Sequence, residues 1–315
     1  MTPTRSSWAR SSGSRSGWRR RWKGAGLERA RFEVTDREGL APDVFRMTVR
    51  APLIPPNAAA GQFIIVRVDT QGERIPLTLM DYSREEGTVE MAFQVVGTTT
   101  MKLSRCEVGD CLADVVGPLG RPTEVMRFGK VACVGGGVGI AALYPIARAM
   151  VDAGNEVRVL LGGRDREHLI LTDRMEALDA DLRVATDDGS FGVRGFVTEL
   201  VLEAINEWGP DRVVAVGPVP MMRAVSMLTK EHGVPTVVSL NAIMLDGTGM
   251  CGTCRCEVAG ETKFSCVDGP EFDGHQVDFE VLVSRLKAYL DEEAVSRDRF
   301  AGLAEGYRPA CGEGG

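Results

Sequence analysis

The sequence predicts an N-terminal antiparallel β-barrel, followed by a doubly wound α/β domain and a small C-terminal loop module. Three observations lead to this fold class. Short alternating segments separated by Gly, Pro and Asp fill residues 31–125, and strand-like and helix-like segments alternate over residues 128–240. Four cysteines then lie within the sixteen residues from Cys251 to Cys266. We predict that these cysteines belong to a separate module over residues 241–285.

Length and composition describe an ordinary folded protein. The chain has 315 residues, of which 44% are hydrophobic and 26% charged, and this suits two domains with an appendage. Cysteines at metal-ligand spacing indicate a reducing compartment, and no apolar run approaches the length of a membrane span. We therefore expect a cytoplasmic protein that has neither a membrane nor a nucleic acid as its partner.

Both ends of the chain differ from its body. Before Leu27 the chain carries seven basic residues and no acidic one, and the rest has 30 basic against 44 acidic residues, a net charge of −14. The first segment lacks the apolar stretch of a secretory signal, although its composition would also suit an organellar transit peptide or a nucleic-acid-binding arm. We expect residues 1–30 to be a disordered basic tail and residues 286–315 to be a helical or flexible tail.

Two connections of the predicted barrel carry residues that suit a phosphate-bearing ligand. Arg74–Thr78, with the sequence RIPLT, places an arginine and a hydroxyl beside a strand. Gly97–Thr100, with the sequence GTTT, ends a strand and opens a helix. The free N–H groups and positive dipole end of such a turn suit a pyrophosphate, although a GTTT turn is also an ordinary helix N-cap. The predicted strands of the barrel are 31–40, 43–52, 61–69, 88–96 and 111–120.

The alternating segments after residue 128 predict a parallel sheet with helices on both faces. The ligand of such a sheet lies beyond the carboxyl ends of the strands, and the glycine turns of this chain fall there. The glycine-turn residues are Gly135, Gly136, Gly137, Gly139, Gly217 and Pro218. The predicted strands are 130–136, 156–163, 181–186, 212–217 and 236–241, and the predicted helices are 140–153, 168–178, 196–205 and 221–233.

The first glycine turn departs from the dinucleotide-binding fingerprint, because Ile140 stands where the third glycine is expected. Close approach of the backbone to a phosphate still follows from Gly135–Gly139. After the second strand, Arg164 and Arg166 could bind the 2′-phosphate of NADP(H), whereas Asp165 between them would hold the ribose hydroxyls of NAD(H). These residues alone leave the choice of nucleotide open.

The C-terminal module contains a metal-binding pattern. Asp246, Cys251, Cys254 and Cys266 form the string D-x4-C-x2-C-x11-C, which is the plant-type [2Fe–2S] spacing with Asp in the first position. A carboxylate oxygen can ligate iron, and the glycines in DGTGMCG suit a tight loop around a cluster. Structural zinc is the alternative, but zinc ribbons usually pair two C-x2-C knuckles, and here a lone Cys266 follows the first.

Cys256 is an alternative fourth ligand, because it would lie on the same face as Cys254 if the sequence RCEV is a strand. We favour Asp246, which restores the plant-type spacing.

His275 follows the cysteine loop and is expected to support that loop or lie on the surface rather than bind the metal. No histidine pairs with an obvious carboxylate and nucleophile, so we predict no general acid or base.

Taken together, these motifs resemble a known family. RIPLT, GTTT, VGGGVGIAALYP, VGPVPMMRAV and DGTGMCGTC followed by CVDGPEFDGH are similar to the small electron-transfer subunits related to ferredoxin–NADP reductase. That group includes the small subunit of NADH-dependent reduced ferredoxin:NADP oxidoreductase, the FAD/NAD subunit of sulfide dehydrogenase and the electron-transfer subunit of dihydroorotate dehydrogenase. The resemblance covers roughly residues 31–285.

The resemblance implies a ferredoxin reductase-like fold with FAD on the barrel, NAD(H) or NADP(H) on the α/β domain, and a [2Fe–2S] cluster in the C-terminal loop. The flavin would then lie along Arg74, Pro76, Leu77 and Thr78, and its pyrophosphate along Gly97, Thr98, Thr99 and Thr100. The glycine turns would meet the nucleotide, while Asp246, Cys251, Cys254 and Cys266 would hold the iron.

The same resemblance implies a flavoprotein subunit of the ferredoxin–NAD(P)+ oxidoreductase type. It would move electrons between NAD(P)H and a larger partner that carries FAD and [4Fe–4S] clusters, and it would reach ferredoxin only through that partner. Small subunits of this group handle NADH, which favours NAD(H). The alternative to a redox subunit is a non-catalytic, zinc-stabilised, nucleotide-binding regulatory subunit.

Three departures limit how far the resemblance carries. Pro76-Leu77 replaces the R-x-Y-S pattern of plant-type reductases, and Val216-Gly217-Pro218 lacks their cysteine. Asp246 favours the ferredoxin:NADP and sulfide dehydrogenase members over the dihydroorotate members, which use four cysteines.

Overall fold

The computed structural model describes residues 32–302 and Tyr307. The predicted basic tail at residues 1–30 lies outside the described residues. Eight strands come first, and six of them lie in the five segments predicted from the alternation of apolar and polar residues. They are β1 (Phe32–Ala41), β2 (Val44–Arg50), β3 (Phe63–Arg67), β4 (Arg74–Thr78), β5 (Asp81–Ser83), β6 (Thr88–Gln94), β7 (Cys111–Leu112) and β8 (Asp114–Leu119).

These strands form two antiparallel sheets in the orders β5-β6-β2-β1-β7 and β4-β3-β8. The sheets share a core to which the first contributes the buried Met47 and Phe93 and the second the buried Ile64. Within the described residues no hydrogen-bonded ladder joins the two sheets, so the barrel is not closed through its backbone. Strand β4, which the sequence reasoning did not predict, lies at a sheet edge, where Pro76 is tolerated.

The described residues after β8 contain nine further strands and are built mainly around one sheet. The strands are β9 (Lys130–Gly136), β10 (Glu156–Gly163), β11 (Asp181–Thr186), β12 (Val193–Arg194), β13 (Arg212–Val216), β14 (Thr236–Ser239), β15 (Arg255–Val258), β16 (Glu261–Phe264) and β17 (Glu271–Asp273). Seven of them form a sheet in the order β12-β11-β10-β9-β13-β14-β17. All neighbours pair in parallel except β14 and β17, which agrees with the predicted doubly wound α/β fold.

The α-helices of the described residues are α1 (Thr98–Leu103), α2 (Gly139–Asp152), α3 (Thr172–Glu176), α4 (Val197–Glu207), α5 (Val219–Glu231), α6 (Phe279–Leu286) and α7 (Leu290–Ala301). Those between β9 and β14 follow the predicted alternation with one exception, and α6 was not predicted. The prediction of one helix over 168–178 is wrong: a 3-10 turn at Arg166–His168 precedes α3. Leu171 between them has a φ of 57°, and a residue in this left-handed conformation interrupts an α-helix.

The cysteine module is packed onto both larger parts of the fold. Its strands β15 and β16 form a hairpin, while β17 returns the chain to the edge of the large sheet. The buried Cys254 and Cys266 share one hydrophobic core cluster with Phe63 of β3 and Ala215 of β13. Among the described helices, none combines the length and apolar character needed to cross a bilayer.

Candidate functional site

A cavity of about 600 Å³ lies where the three parts of the fold meet. Its volume is within the range of small-molecule and cofactor sites. Its lining includes Pro76, Leu77 and Thr78 from β4, Thr100 from α1, Gly136, Gly137, Gly139, Gly217 and Pro218 from the glycine turns, and Asn241, Ala242 and Met244 from the start of the cysteine module. Residues predicted separately from three stretches of sequence therefore border one space.

Nine of the fourteen residues predicted to bind a cofactor line this cavity, and five do not. Arg74 is exposed at the start of β4. Gly97, Thr98 and Thr99 lie at the start of α1, beside the cavity-lining Thr100. Gly135 is buried at the end of β9, where an added Cβ would lie 2.9 Å from a methyl carbon of Leu143.

The two glycine turns approach each other closely around Met221. A Cβ on Gly136 would lie 2.5 Å from the Met221 Sδ, and one on Gly217 would lie 2.7 Å from its Cε. A Cβ on Gly139 would lie 2.6 Å from both the Gly217 Cα and the Val216 carbonyl oxygen. Gly139 thus permits the close helix–strand contact for which the dinucleotide fingerprint uses its third glycine.

The turn at the start of α1 is held together by its own side chain. The Thr100 hydroxyl oxygen lies 3.0 Å from the backbone nitrogens of Val96 and Gly97 and accepts a hydrogen bond from each N–H group. It also lies 3.0 Å from the Gly97 carbonyl oxygen. The turn therefore has the shape of an N-cap, and Thr100 is its contribution to the cavity wall.

After β10, two of the residues that the sequence offers as nucleotide contacts, Asp165 and Arg166, have partners within the protein. The Asp165 carboxylate lies 2.7 Å from the His168 Nδ1 and accepts the His168 backbone N–H at 3.1 Å, and these contacts lower the pKa of Asp165. The Arg166 guanidinium lies 5.2 Å from the centre of the Phe191 ring. Asp165 therefore closes the 3-10 turn, while Arg164 is exposed beside it.

The loop before the first cysteine is folded around the Asp246 carboxylate. Its Oδ1 accepts the Thr248 N–H at 2.8 Å, and its Oδ2 accepts the Cys251 N–H at 2.7 Å. The hydrogen bond from Thr248 is the main cause of the lowered pKa of Asp246, which keeps the carboxylate in the ionised form that a metal requires. Gly247 has a φ of 73°, and a Cβ there would lie 2.6 Å from Leu119, so this turn needs glycine.

Cys254 and Cys266 meet in the protein interior. Their Sγ atoms are 3.2 Å apart, well beyond the disulfide length of about 2.05 Å. Burial raises the pKa of Cys266 to about 12, and the neighbouring Cys254 thiol contributes. Two thiolates on one tetrahedral metal, each at about 2.3 Å, lie about 3.7 Å apart. If the two sulfurs moved slightly further apart, they could therefore bind one metal ion together.

Cys256 is buried within the hairpin that follows. RCEV forms strand β15, and the Cys256 Sγ lies 3.7 Å from the Lys263 carbonyl oxygen and 3.5 Å from the Ser265 hydroxyl. The His275 Nε2 lies 3.0 Å from the Thr229 hydroxyl of α5. Both side chains thus have partners outside the predicted ligand set.

The predicted ligands form two pairs. The Asp246 carboxylate is joined to the backbone of Cys251, and Cys254 contacts Cys266. Across residues 32–302 no three Cys, His, Asp or Glu side chains converge as they would around a single ion. A two-iron cluster needs only two protein ligands on each iron, whereas structural zinc takes four around one centre. The two pairs therefore match the number of protein ligands that a two-iron cluster needs.

The edge of the cysteine loop is exposed and apolar. Cys251 is exposed, and the preceding Met250 has 88% of its surface accessible. Leu245 on the same loop and Val267 are also exposed, and Val267 packs against Gly249 of the loop. We call Leu245, Met250 and Val267 the apolar rim. Exposed apolar side chains beside a functional loop are a feature of interaction sites.

Sequence reasoning missed several residues that line the cavity. Phe63 and Gln94 lie in predicted strands whose alternating pattern indicates only core packing. Met244 and Asn241 precede the cysteine motif and border the cavity as well. No local pattern could have singled them out, because each lines the cavity only after distant segments pack together.

Comparison with known proteins identifies the two C-terminal parts of the chain. Residues 133–227 match the family model of an oxidoreductase NAD-binding domain, and residues 241–278 match the iron–sulfur cluster binding domain of dihydroorotate dehydrogenase B. The first model covers both glycine turns, and the second contains all four predicted cluster ligands. The chain therefore has an NAD-binding domain and an iron–sulfur-binding domain.

Curated relatives extend the similarity over most of the chain. A Thermotoga maritima protein named dihydroorotate dehydrogenase B (NAD(+)), electron transfer subunit homolog, is 47% identical over 268 residues, covering 85% of this chain and 95% of the relative. A Desulforamulus reducens protein named dihydroorotate dehydrogenase B (NAD(+)), electron transfer subunit, is 34% identical over 250 residues, covering 76% and 95%.

Solved structures confirm the predicted fold class. A structure from a study of flavin-based electron bifurcation by the NADH-dependent reduced ferredoxin–NADP oxidoreductase matches with a TM-score of 0.82 and 46% identity, covering 86% of this chain and 98% of that chain. The ferredoxin reductase of carbazole 1,9a-dioxygenase matches with a TM-score of 0.56 and 23% identity, covering 64% and 65%, and this second likeness shows the fold alone.

The comparisons and the geometry agree over the same residues. The ferredoxin reductase-like fold, the NAD-binding domain and the iron–sulfur domain are those of an electron-transfer oxidoreductase subunit that uses FAD, NAD and an iron–sulfur cluster. The chain therefore belongs to the family of dihydroorotate dehydrogenase B-type electron-transfer subunits.

Proposed function

We propose that this subunit passes electrons between NAD(H) and a larger flavoprotein partner through FAD and a [2Fe–2S] cluster. The observation that carries the proposal is the single cavity bordered by β4, by both glycine turns and by the start of the cysteine module. Cofactors exchange electrons when the protein holds their reactive parts close together. We assign Pro76, Leu77 and Thr78 to the flavin and Gly136–Gly139 with Gly217 to the nucleotide.

The cavity lining supports redox chemistry without a general acid or base. Its described residues carry no titratable side chain, and its polar side chains are those of Thr78, Gln94, Thr100, Ser239 and Asn241. When bound, a flavin exchanges two electrons with a nicotinamide and single electrons with an iron–sulfur cluster. The lining residues orient the rings by packing and hydrogen bonding and exclude water.

The start of helix α2 supports nucleotide binding. Gly137 has a φ of 55°, and a Cβ there would meet no atom within 4 Å. The space beside this glycine opens into the cavity at the carboxyl end of β9. A phosphate can approach backbone N–H groups closely in such a place and benefits from the positive end of the helix dipole.

We assign Asp246, Cys251, Cys254 and Cys266 to the cluster. The paired arrangement of these donors supports this set, and the engagement of Cys256 inside the hairpin supports Asp246 as the fourth ligand. Met244 lines the cavity and belongs to the same buried core cluster as Cys254 and Cys266. Packed side chains therefore connect the cavity with the cluster ligands.

We assign the apolar rim to the larger partner, a flavoprotein that carries FAD and [4Fe–4S] clusters. One cluster ligand, Cys251, is at the surface beside this rim, so a partner seated there approaches the cluster directly. Exposed apolar groups also form the centres of stable protein interfaces.

The absorption spectrum of the purified protein tests the proposed cofactors. We expect flavin bands and broad iron–sulfur absorption, both bleached by NADH, together with stoichiometric iron. The variant Cys254→Ala should lose the iron and its absorption but keep the flavin bands. A colourless protein with stoichiometric zinc would contradict the proposal and favour the regulatory subunit.

A dihydroorotate dehydrogenase partner is a second candidate, because the relatives at 47% and 34% identity carry that name. We favour the ferredoxin–NADP type because Asp246 occupies the first ligand position. Reconstitution with each kind of partner separates the candidates: we expect NADH-linked ferredoxin turnover, whereas NAD-linked dihydroorotate oxidation would support the second candidate.

A further inference from the structure

The C-terminal segment folds back over the start of α1. Helix α7 contacts α1, and the hydroxyl oxygens of Ser296 and Thr98 lie 2.8 Å apart. We propose that α7 and Tyr307 form a strap that holds the Gly97–Thr100 turn in the shape that binds the FAD pyrophosphate. This inference rests on the proposed function and adds to it that the Gly97–Thr100 turn, whose Thr100 lines the cavity, meets the pyrophosphate of the FAD.

The strap is anchored at the other end of α1 through Lys102. The Lys102 Nζ lies 2.8 Å from the Asp69 Oδ2, and the Tyr307 hydroxyl donates to the same oxygen at 2.7 Å. Lys102 also lies 5.7 Å from the Phe300 ring centre and 5.4 Å from that of Tyr307, within the range of cation–π attraction. The two rings meet edge to face at 5.2 Å.

Phe300 is the apolar anchor of the strap. It is the buried residue of α7, whose first turn carries Asp291, Glu292 and Glu293. A largely polar helix gains little by burying one face, so its position depends on Phe300 and on the hydrogen bond between Ser296 and Thr98. These contacts therefore determine where α7 lies against α1.

The strap holds a helix that is too short to be stable alone. Helix α1 spans six residues, and isolated helices of this length do not persist in water. The strap touches its first residue, Thr98, and its last turn, at Lys102. Loss of the strap would let the turn fray and weaken its contact with the pyrophosphate. The ring-binding residues on β4 make none of these strap contacts, so flavin-ring binding should be preserved.

Flavin affinity of the full-length chain tests the strap. FAD carries the pyrophosphate and riboflavin does not, so the dissociation constants of both are measured by fluorescence after the bound flavin is removed. For Phe300→Ala we expect the FAD dissociation constant to rise about tenfold, which is about 1.4 kcal/mol, and the riboflavin constant to stay unchanged. Tyr307→Phe, which keeps the ring and loses the hydrogen bond to Asp69, should show a smaller effect in the same direction.

Two further variants separate the hydroxyl contact from general changes in α7. Ser296→Ala should weaken FAD binding, and Ser296→Thr, which keeps the hydroxyl, should restore it. Val295→Ala is the matched control on the exposed side of the same helix and should leave both constants unchanged.

The outcomes distinguish the strap from the function on which it rests. Unchanged FAD affinity in Phe300→Ala and Tyr307→Phe overturns the strap, and so does an equal loss of FAD and riboflavin affinity, which would indicate general loosening of the fold. A wild-type chain that binds neither flavin overturns the proposed function and the strap with it.

Discussion

At the scale of single residues, the cluster loop depends on one carboxylate. Asp246 organises the loop by accepting the N–H groups of Thr248 and Cys251, and each of its oxygens has lone-pair capacity left for a metal. Cys256, the alternative ligand, has its sulfur between Lys263 and Ser265. The Asp246 oxygens can therefore still accept a metal, whereas the Cys256 sulfur is already in contact with protein partners.

The first prediction concerns the variant Asp246→Cys. We expect it to keep a cluster with a changed EPR spectrum and a higher reduction potential, because a hard oxygen ligand favours ferric iron more than a thiolate does. EPR-monitored redox titration measures both properties.

Cys256→Ala is the control for this prediction and should retain the wild-type spectrum. Asp246→Asn, which can keep one of the two backbone hydrogen bonds, separates loop folding from ligation and should lower the iron content. Unchanged spectra in Asp246→Cys, combined with loss of the cluster in Cys256→Ala, would transfer the ligand role to Cys256.

The second prediction concerns nucleotide choice. Asp165 is engaged by His168 and Arg166 lies over Phe191, so Arg164 is the exposed residue best able to meet a 2′-phosphate. We expect NADH to reduce a dye more efficiently than NADPH, and Arg164→Ala to change that ratio less than twofold. Steady-state kinetics with each nucleotide provide the test. A tenfold preference for NADPH that falls by about 1.4 kcal/mol or more in Arg164→Ala would show that the arginine binds the phosphate.

At the scale of elements, two ion pairs join the N-terminal strands to helices of the large sheet. Arg148 of α2 donates to both oxygens of Asp81 of β5, at 3.0 and 2.9 Å. Arg174 of α3 donates to Glu90 of β6 at 2.6 Å. Because the cavity lies between these two parts of the fold, the pairs help to set the distance between its walls.

The third prediction concerns the pH dependence of the first pair. Burial favours a higher pKa for Asp81, but hydrogen bonds from Arg148 outweigh it and the pKa is lowered. A carboxyl with a lowered folded-state pKa stabilises the fold above its unfolded pKa of about 3.9, and this contribution is lost as the pH falls through the folded value. We expect Arg148→Gln to cost about 1–2 kcal/mol at neutral pH, limited by solvent screening of the partly exposed pair. This difference from the wild type should shrink below about pH 4.

Urea unfolding at several pH values measures this difference. Arg223→Gln is the matched control, because its pair with Glu280 is largely exposed and should contribute less than about 0.5 kcal/mol. A pH-independent cost of Arg148→Gln would show that packing of the arginine, rather than its charge, provides the stabilisation.

At the scale of the whole molecule, the electron path that we propose runs from the cavity to the surface. Met244 lines the cavity and shares a buried core cluster with Cys254 and Cys266, while Cys251 is exposed. The apolar rim lies beside Cys251. The path therefore ends where a second protein can dock.

The fourth prediction is that the isolated subunit reduces artificial dyes with NADH but does not reduce ferredoxin. Small dyes can reach the flavin or the cluster directly, whereas ferredoxin turnover needs the redox centres of the partner. Adding the partner should restore ferredoxin activity. Full ferredoxin activity by the subunit alone would contradict the assignment.

The apolar rim allows a sharper version of this experiment. Met250→Glu should weaken partner binding at least tenfold, because it places a charge at the centre of an apolar contact. Its iron content is measured in parallel. Val193→Glu, at an exposed valine of β12, is the control and should bind the partner normally.

The sequence by itself determined those features that are encoded locally. Alternation of apolar residues predicted most of the N-terminal strands, alternation of segments predicted the parallel sheet, and cysteine spacing predicted the iron–sulfur module. Each signal lies within a few residues to a few tens of residues along the chain, where backbone geometry imposes a period or spacing. The fold class followed from these patterns, whereas the family, FAD and NAD(H) followed from the resemblance of the motifs to known electron-transfer subunits.

The tertiary structure alone decided which residues meet. It brought Gly139 against Gly217, held Asp165 at His168, engaged Cys256 in a hairpin and placed Ser296 beside Thr98. It also divided the predicted helix over 168–178 at Leu171. Most of these contacts join residues far apart in the chain, and even the local ones depend on surrounding packing that can override local preference. A sequence pattern records the preferences of neighbouring residues, whereas the final contacts minimise the free energy of the whole chain.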